Sequence, residues 1–213
     1  NEMTGSISLG FVPSMANDIL PIIASYLKIR LPKIKLIFKE YMSFEQVPAL
    51  NNGNLDIGLT RLPKDFNSFN YTRVVSEKYF LVVNKNDPLS KKKYITIQDL
   101  HNIDFIMYDA IVGRYSYELL SSLFLNNKVK PNFVQYVSQP NVFLSLVQSS
   151  VGVALLAESA KSNCPDNVIF KEIKFPDWVR ADVYLATKKQ PQNKLVPEVY
   201  NCIMEALYSN SQI

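Results

Sequence analysis

The chain reads Gly53-Asn54-Leu55-Asp56-Ile57-Gly58-Leu59 near the end of its first quarter, and this stretch joins a helix stop to a buried strand. Asn52-Gly53 is a typical end of a helix, and the nearly continuous apolar run over residues 55–59 is expected for a strand covered on both faces. An earlier strand over residues 7–12 leads into Ser14. Two strands are therefore expected to end at one edge of a sheet, where each is followed by a loop and the start of a helix. Open α/β folds bind ligands at this edge.

Helix start and stop signals organise the first third of the chain. Ser14 is predicted to cap a helix that Pro32 forces to stop, and a second strand follows over residues 34–40. Ser43 is predicted to cap a short helix, with Gln46 three residues later as in a capping box. Strand and helix therefore alternate from the start of the chain.

The same alternation continues to the end of the sequence. Strands are predicted over residues 74–75, 79–83, 105–108, 133–137, 153–156, 168–173 and 179–186, and helices over residues 117–125, 142–148 and 196–208. Such alternation implies a mostly parallel sheet, and there are more elements than one sheet of typical size needs. The sequence therefore predicts an α/β protein with two lobes and a cleft between them.

Composition limits the function classes. The 213 residues are 47% hydrophobic, and no apolar run approaches the roughly 20 residues of a membrane span. The N-terminus lacks the features of a signal peptide, and the net charge of +4 is scattered rather than gathered into a basic arm. Cys164 and Cys202 stand far apart without metal-site spacing. We expect a cytoplasmic protein with no membrane partner, metal or cofactor; the cluster of residues 91–93 is a solvated loop or a polyanion contact.

Six short motifs occur in register along the chain. They are GSISLGF (5–11), the Leu-Pro pairs at 20–21 and 31–32, GNLDIGL (53–59), EKYFLVV (77–83), DPL (87–89) and VGVALL (151–156). In this combination the chain resembles the effector-binding, or regulatory, domain of LysR-type transcriptional regulators. That resemblance implies two Rossmann-like lobes joined by two crossover strands, as in type 2 periplasmic binding proteins. Lobe I is expected over residues 1–76 and 177–213, and lobe II over residues 77–176.

The resemblance also implies partners. Family members carry an N-terminal winged helix-turn-helix, which no part of this chain matches, so DNA binding is expected only through that missing domain. Family members pair these domains antiparallel, which here implies a dimer or tetramer using the helix of residues 17–30 against the region 119–125 or 142–147. The pattern is nearest to regulators of aromatic-compound catabolism, because Arg61 follows the strand of residues 55–59 as it does there. A basic residue that serves a second effector site in those proteins is replaced by Val75, so a second site is doubtful.

The expected effector is a small organic anion, such as an aromatic or dicarboxylic acid, bound in the interlobe cleft. From lobe I, Ser14 and Ser43 open helices at one sheet edge and form a candidate carboxylate cradle, with ordinary helix capping as the alternative at each position. Arg61 and Phe66 are secondary candidates at the cleft mouth, and for Arg61 an interlobe salt bridge is the alternative role.

From lobe II, Arg114, Tyr115 and Ser116 are expected to precede a helix and face the same cleft. The Arg114 guanidinium could clamp a carboxylate with two parallel hydrogen bonds, and Tyr115 could form an aromatic wall. A solvated loop arginine is the alternative for Arg114.

Three function classes remain open, and a ligand sensor leads them. A free-standing solute-binding protein of a transporter shares the fold, and an enzyme of the deaminase or dehydratase type would require a catalytic carboxylate, lysine or histidine in the cleft. No catalytic residue is predicted, since His101 lies in a surface turn without a nucleophile nearby. Asp56, in the middle of an apolar strand, is predicted to be structural.

Overall fold

The structure is a computed structural model that describes residues 3–16, 18–63 and 65–210. The chain divides into two compact units: unit 1 contains residues 1–76 and 182–213, and unit 2 contains residues 77–181. The sequence places the second boundary after residue 176, whereas the structure places it after Ala181. The boundary moves because Val179 and Ala181 are buried in the hydrophobic core of unit 2.

Unit 1 is a sheet covered by helices. Its elements are β1 (Gly5–Phe11), α1 (Ile19–Arg30), β2 (Ile34–Glu40), α2 (Ser43–Asn51), β3 (Ile57–Thr60), the first part of β4 (Phe69–Asn84), the second part of β9 (Arg180–Lys188) and α5 (Val196–Asn210). Strand β1 pairs in parallel with β2 on one side and with β3 on the other, and β3 pairs antiparallel with β9. The sheet is mixed rather than mostly parallel, because β9 enters from unit 2 and runs back along β3.

Unit 2 repeats the strand and helix alternation around its own core. Its further elements are β5 (Asp104–Tyr108), α3 (Arg114–Asn126), β6 (Asn132–Val137), α4 (Pro140–Gln148), β7 (Ala154–Ala157) and β8 (Val168–Lys171). Strand β5 pairs in parallel with β6, while β4 pairs antiparallel with both β7 and β8. Phe105 on β5, Leu120 on α3 and Phe143 on α4 are fully buried in the core between them.

Strand β4 is longer than the sequence pattern indicates. Two separate runs, over residues 74–75 and 79–83, are predicted, whereas the structure has one strand from Phe69 to Asn84. Its first half is largely half-buried and its last six residues are buried, so only the second half shows the apolar run that marks a covered strand. Since the unit boundary falls after Ser76, β4 is one of the two strands that pass from one unit to the other, and β9 is the second.

The first helix begins later than predicted. Residues 13–15 form a short 3₁₀ turn that contains Ser14, and α1 begins only at Ile19. The Pro13 carbonyl accepts the Ala16 N–H, and Met15 is buried, so this turn is a packed unit of its own. Ser14 therefore does not cap α1, although α1 ends at Arg30, ahead of Pro32, as predicted.

Helix α2 is also capped differently from the prediction. Its N-cap is Met42, whose N–H donates to the Glu45 carboxylate at 2.8 Å. Gln46 is buried instead, and its amide nitrogen donates to the Leu59 carbonyl at 2.8 Å. A Cβ on Gly58 would lie 2.5 Å from the Gln46 amide oxygen, so this glycine leaves the space that the buried amide occupies.

Asp56 fastens the start of β3 to β1. Its carboxylate accepts the Ser8 N–H at 2.7 Å and the Ser8 hydroxyl at 2.8 Å. In return the Asp56 N–H donates to the Ser8 hydroxyl at 3.0 Å. This reciprocal pair fixes the register of the two parallel strands, in agreement with the structural role predicted for Asp56.

We predict that Asp56→Ala lowers the free energy of unfolding by about 1–3 kcal/mol, because it leaves the Ser8 N–H without its acceptor. Urea denaturation followed by circular dichroism measures the change. Asn54→Ala, at an exposed position in the same loop, is the control and should leave the midpoint nearly unchanged. Equal midpoints for Asp56→Ala and the wild type would contradict the structural role.

Candidate functional site

The carboxyl ends of the three parallel strands of unit 1 meet at one edge of its sheet. Ser14 follows β1, Ser43 follows β2, and Arg61 follows β3 directly. All three side chains are half-buried. The alternation of strand and helix therefore brings two hydroxyls and one guanidinium to the edge at which open α/β sheets bind ligands. We call these three residues the Arg61 cluster.

Arg61 connects the cluster. Its side-chain Nε and Nη2 each donate to the Ser14 hydroxyl oxygen at 3.3 Å, and its backbone N–H donates to the Ser43 hydroxyl oxygen at 3.1 Å. The structure thus joins three of the residues predicted from the sequence. Since the N-caps of α1 and α2 are Asp18 and Met42, the helix-capping alternative does not describe either serine.

The guanidinium is also attached to the strand that leaves unit 2. Its Nη1 donates to the Asp182 carbonyl on β9 at 3.2 Å. The Asp182 carboxylate accepts the Ser76 hydroxyl on β4 at 2.5 Å, and it lies 3.9 Å from Arg73. Asp182 and Ser76 were not predicted from the sequence. The sequence signal that could have indicated Asp182 is an acidic residue within a largely apolar strand, which is the pattern that also singled out Asp56.

Phe66 lies elsewhere in unit 1. Its ring is 64% exposed and packs edge-on against Tyr71, with 5.2 Å between the ring centroids. In the described part of the chain, no hydrogen bond or ring contact links Phe66 to the Arg61 cluster. The structure of unit 1 therefore does not bring Phe66 into the same group.

The residues predicted in unit 2 lie in the first turn of α3 rather than ahead of it. Arg114 makes an exposed ion pair of 2.7 Å with Glu118, one helical turn away. The Tyr115 hydroxyl donates to the Arg180 carbonyl at 2.7 Å. The Ser116 hydroxyl is buried and hydrogen-bonded to the Tyr79 hydroxyl at 2.8 Å, so it faces the interior of unit 2.

Asp109 explains why α3 begins early. It follows β5, and its carboxylate accepts the N–H groups of Ile111 and Val112, both at 2.9 Å. These two backbone donors hold the pKa of the Asp109 carboxyl below its usual value. The turn they stabilise ends at Gly113, immediately before Arg114.

A separate cavity of about 260 Å³ lies at the opposite, amino-terminal edge of the unit 1 sheet. Asp56 and Lys188 contribute charges to its wall, and Leu50 and Leu55 contribute apolar surface. The Lys188 ammonium donates to the Asn51 carbonyl at 3.0 Å, and Asp56 is bonded to Ser8. Both charges therefore have hydrogen-bond partners within unit 1.

Two chemical features are not found in the described residues. No group of three or more His, Cys, Asp or Glu side chains in that part of the chain could hold a metal ion. Within residues 3–16, 18–63 and 65–210, no helix combines the length and apolar character needed to cross a bilayer. The single histidine, His101, accepts the Lys130 N–H through Nδ1 at 3.2 Å.

Two α/β units joined by two long strands, with a polar cluster at the carboxyl edge of unit 1, define a ligand-binding domain of the type 2 periplasmic-binding-protein class. The profile of the family described as LysR substrate binding domain matches residues 1–207, and the chain belongs to that family.

Named relatives are transcriptional regulators. The chain is 25% identical over 167 residues to the Hca operon transcriptional activator HcaR of Escherichia coli, covering 78% of this chain and 56% of HcaR. It is 26% identical over 205 residues to the HTH-type transcriptional regulator AlsR of Bacillus subtilis, covering 93% of this chain and 66% of AlsR. The chain thus spans less than two thirds of the length of each of these relatives.

Solved structures show the same fold. The BenM effector binding domain with its effector benzoate superimposes with a TM-score of 0.85 at 22% identity, covering 97% of this chain and 93% of that one. The effector binding domain of QuiR in complex with shikimate gives a TM-score of 0.80 at 22% identity, covering 99% of each chain. These likenesses confirm the predicted fold class.

Proposed function

We propose that this chain is the effector-sensing domain of a LysR-type, DNA-binding transcriptional regulator, and that it binds a small organic anion at the Arg61 cluster. The observation that carries the proposal is the meeting of the Arg61 guanidinium with the Ser14 and Ser43 hydroxyls at the carboxyl edge of three parallel strands. A guanidinium and hydroxyl donors suit a carboxylate, because each supplies N–H or O–H groups to an oxygen acceptor.

The ligands of the related structures have matching chemistry. Benzoate and shikimate both carry one carboxylate on a six-membered ring, and each occupies the effector binding domain of its own protein. We propose a ring carboxylate of this general size for the present chain. Val75 carries no charge of its own, so the sequence-based prediction that a second effector site is doubtful stays a prediction.

Unit 2 is proposed to supply the remaining contacts. Arg114 and Tyr115 lie in the first turn of α3, where the exposed ion pair with Glu118 is weak enough for Arg114 to exchange its partner. Ser116 stays a prediction from the resemblance, but its hydroxyl would first have to leave Tyr79. Phe66 likewise stays a prediction, and its exposed ring is free to form an apolar wall.

Ligand binding is proposed to act on transcription through the whole protein. An effector changes the regulator only if it binds two arrangements of the protein with different affinity. DNA contact would come from a winged helix-turn-helix outside this sequence, in a protein that works in the cytoplasm. The full-length relatives support this reading through their names, whereas a transporter's solute-binding protein or an enzyme finds no named relative among those described above.

Self-association is proposed to use the exposed side of α1. Ile29 on this helix is 79% exposed, as is Leu125 on α3, and Val142 on α4 is 39% exposed. Val147, at the end of the second predicted contact region, is fully buried and is not available to a partner. Asn17, the first residue of the predicted contact helix, lies outside the described residues.

The ligand proposal is tested with a panel of ring carboxylates that includes benzoate and shikimate. We expect calorimetry to detect binding of at least one member, and expect Ser14→Ala and Ser43→Ala each to weaken it about tenfold, because each removes one donor to a charged acceptor. Differential scanning fluorimetry should show that the carboxylate stabilises the wild type more than it stabilises either serine variant.

Ser68→Ala is the matched control, since Ser68 is an exposed serine of the same unit. It should bind the carboxylate as tightly as the wild type. Absence of binding by every carboxylate in the panel, or equal affinities for all four proteins, would refute the proposed site.

The self-association proposal predicts that Ile29→Asp shifts the protein toward monomer, because it places a charge in a contact made by apolar side chains. Size exclusion with light scattering at several protein concentrations measures the mass. Lys28→Asp, at the neighbouring exposed position on the same helix, should have a much smaller effect. A wild-type protein that remains monomeric at high concentration would contradict the proposal.

A further inference from the structure

The Ser14 hydroxyl has little hydrogen-bonding capacity left after it has bound Arg61. A serine hydroxyl offers one O–H donor and two acceptor lone pairs. The Nε and Nη2 of Arg61 both donate to the Ser14 oxygen, each at 3.3 Å, and they occupy both lone pairs. Both bonds are long, but they come from one planar group, so that neither is lost without turning the whole guanidinium. What remains at Ser14 is its O–H donor.

Ser43 also keeps its O–H donor available. Its hydroxyl oxygen accepts the backbone N–H of Arg61 at 3.1 Å. One lone pair is thereby used, and the O–H remains available to donate. Both serines of the cluster are therefore held by donors from a single residue, Arg61, and both have an O–H to offer.

The guanidinium is fixed from the side away from the serines. Its Nη1 donates to the Asp182 carbonyl at 3.2 Å, and the Asp182 carboxylate is in turn bonded to Ser76. A guanidinium has five N–H donors and no acceptor, so three are used here and two remain. Every N–H group of Arg61 that is still unpaired is a hydrogen-bond donor. The hydrogen-bonding group left on Ser14, its O–H, is a donor as well.

We infer that Arg61 is a positioning residue that determines the polarity of the site: by occupying the acceptor lone pairs of Ser14, it makes the site select a carboxylate over a carboxamide of the same shape. This inference rests on the proposed function and deepens it. A carboxylate presents acceptors to every free donor of the cluster. A carboxamide that turns its NH₂ group toward Ser14 meets a hydroxyl that has no lone pair left, so the amide donors on that side stay unpaired.

The test compares two isosteric pairs, acetate with acetamide and benzoate with benzamide. Acetate is the smallest carboxylate probe of this kind and does not depend on the identity of the natural effector. Affinities are obtained from NMR titration of the domain, with the backbone amide of residue 61 as reporter in every variant. The quantity compared is the ratio of the carboxamide dissociation constant to the carboxylate dissociation constant. We expect that ratio to be about tenfold or more in the wild type.

The Arg61→Lys variant separates the hydrogen-bonding geometry of Arg61 from its positive charge. Lysine keeps the positive charge but cannot place the two N–H groups of a planar fork on one hydroxyl, so a lone pair of Ser14 is released. We expect the amide to carboxylate ratio to fall at least about fivefold, because the amide gains an acceptor while the charge is retained. If Arg61 acted only through its charge, the ratio would stay at the wild-type value, and the inference would be overturned.

Ser14→Ala provides a second variant that does not alter Arg61. It should lower the ratio as well, and adding Arg61→Lys to Ser14→Ala should lower it no further, since the effect of Arg61 passes through the Ser14 hydroxyl. Ser14→Thr, which keeps the hydroxyl, should give a ratio closer to that of the wild type than Ser14→Ala does. Independent, additive effects of the two substitutions would overturn the inference.

Failure of the inference differs from failure of the proposed function. If the wild type binds both carboxylates and Arg61→Lys leaves the ratio unchanged, the anion site stands and the role given to Arg61 is wrong. If neither carboxylate shifts the Arg61 amide of the wild type at millimolar concentration, the anion site is wrong and the inference falls with it.

Discussion

The parallel pairing of β1 with β2 and β3 is the constraint on which the candidate site depends. Parallel neighbours need a crossover connection, so each strand of this group is followed by a turn or a helix start at the same edge. Ser14, Ser43 and Arg61 are separated in sequence but become neighbours there, as the hydrogen bonds from Arg61 to both serines show. The reciprocal Asp56 and Ser8 bonds hold the register of β1 and β3 from the other end. A slip of one residue would turn Arg61 away from Ser14.

Arg61 is the residue through which the site is organised. Its backbone N–H and its guanidinium together engage Ser43, Ser14 and the Asp182 carbonyl, so one residue positions two hydroxyls and contacts the returning strand. Asp182 is tied by its own carboxylate to Ser76, and both lie next to the boundary between the units. The same arginine that organises the proposed anion site therefore contacts the strand that leads to unit 2.

The sequence predicted the fold class well and the site only in part, and particular residues explain the difference. Strand β2 and the glycine stop at Gly53, whose φ is +80°, follow from local signals that leave few alternatives. Capping was predicted wrongly at Ser14 and Ser43, because a serine before an apolar run looks the same whether its hydroxyl caps the helix or faces another residue. Asp182 carries only the weak local signal of an acidic residue in a strand, since its role arises from pairing β9 with β3 across a large sequence separation. Ser116 was predicted to precede a helix and face the cleft, and only the tertiary fold shows that its hydroxyl is buried against Tyr79.

The central claim is that a small carboxylate binds at the carboxyl edge of unit 1, on the donors of the Arg61 cluster. The most direct measurement is an NMR titration of the isotope-labelled domain with benzoate, following all backbone amides and the Arg61 side-chain Nε–H. Our account predicts saturable shifts whose largest values fall at Ser14, Ser43 and Arg61. Shifts concentrated around Asp56 and Lys188, at the cavity on the opposite edge of the sheet, with the Arg61 signals unmoved, would contradict it.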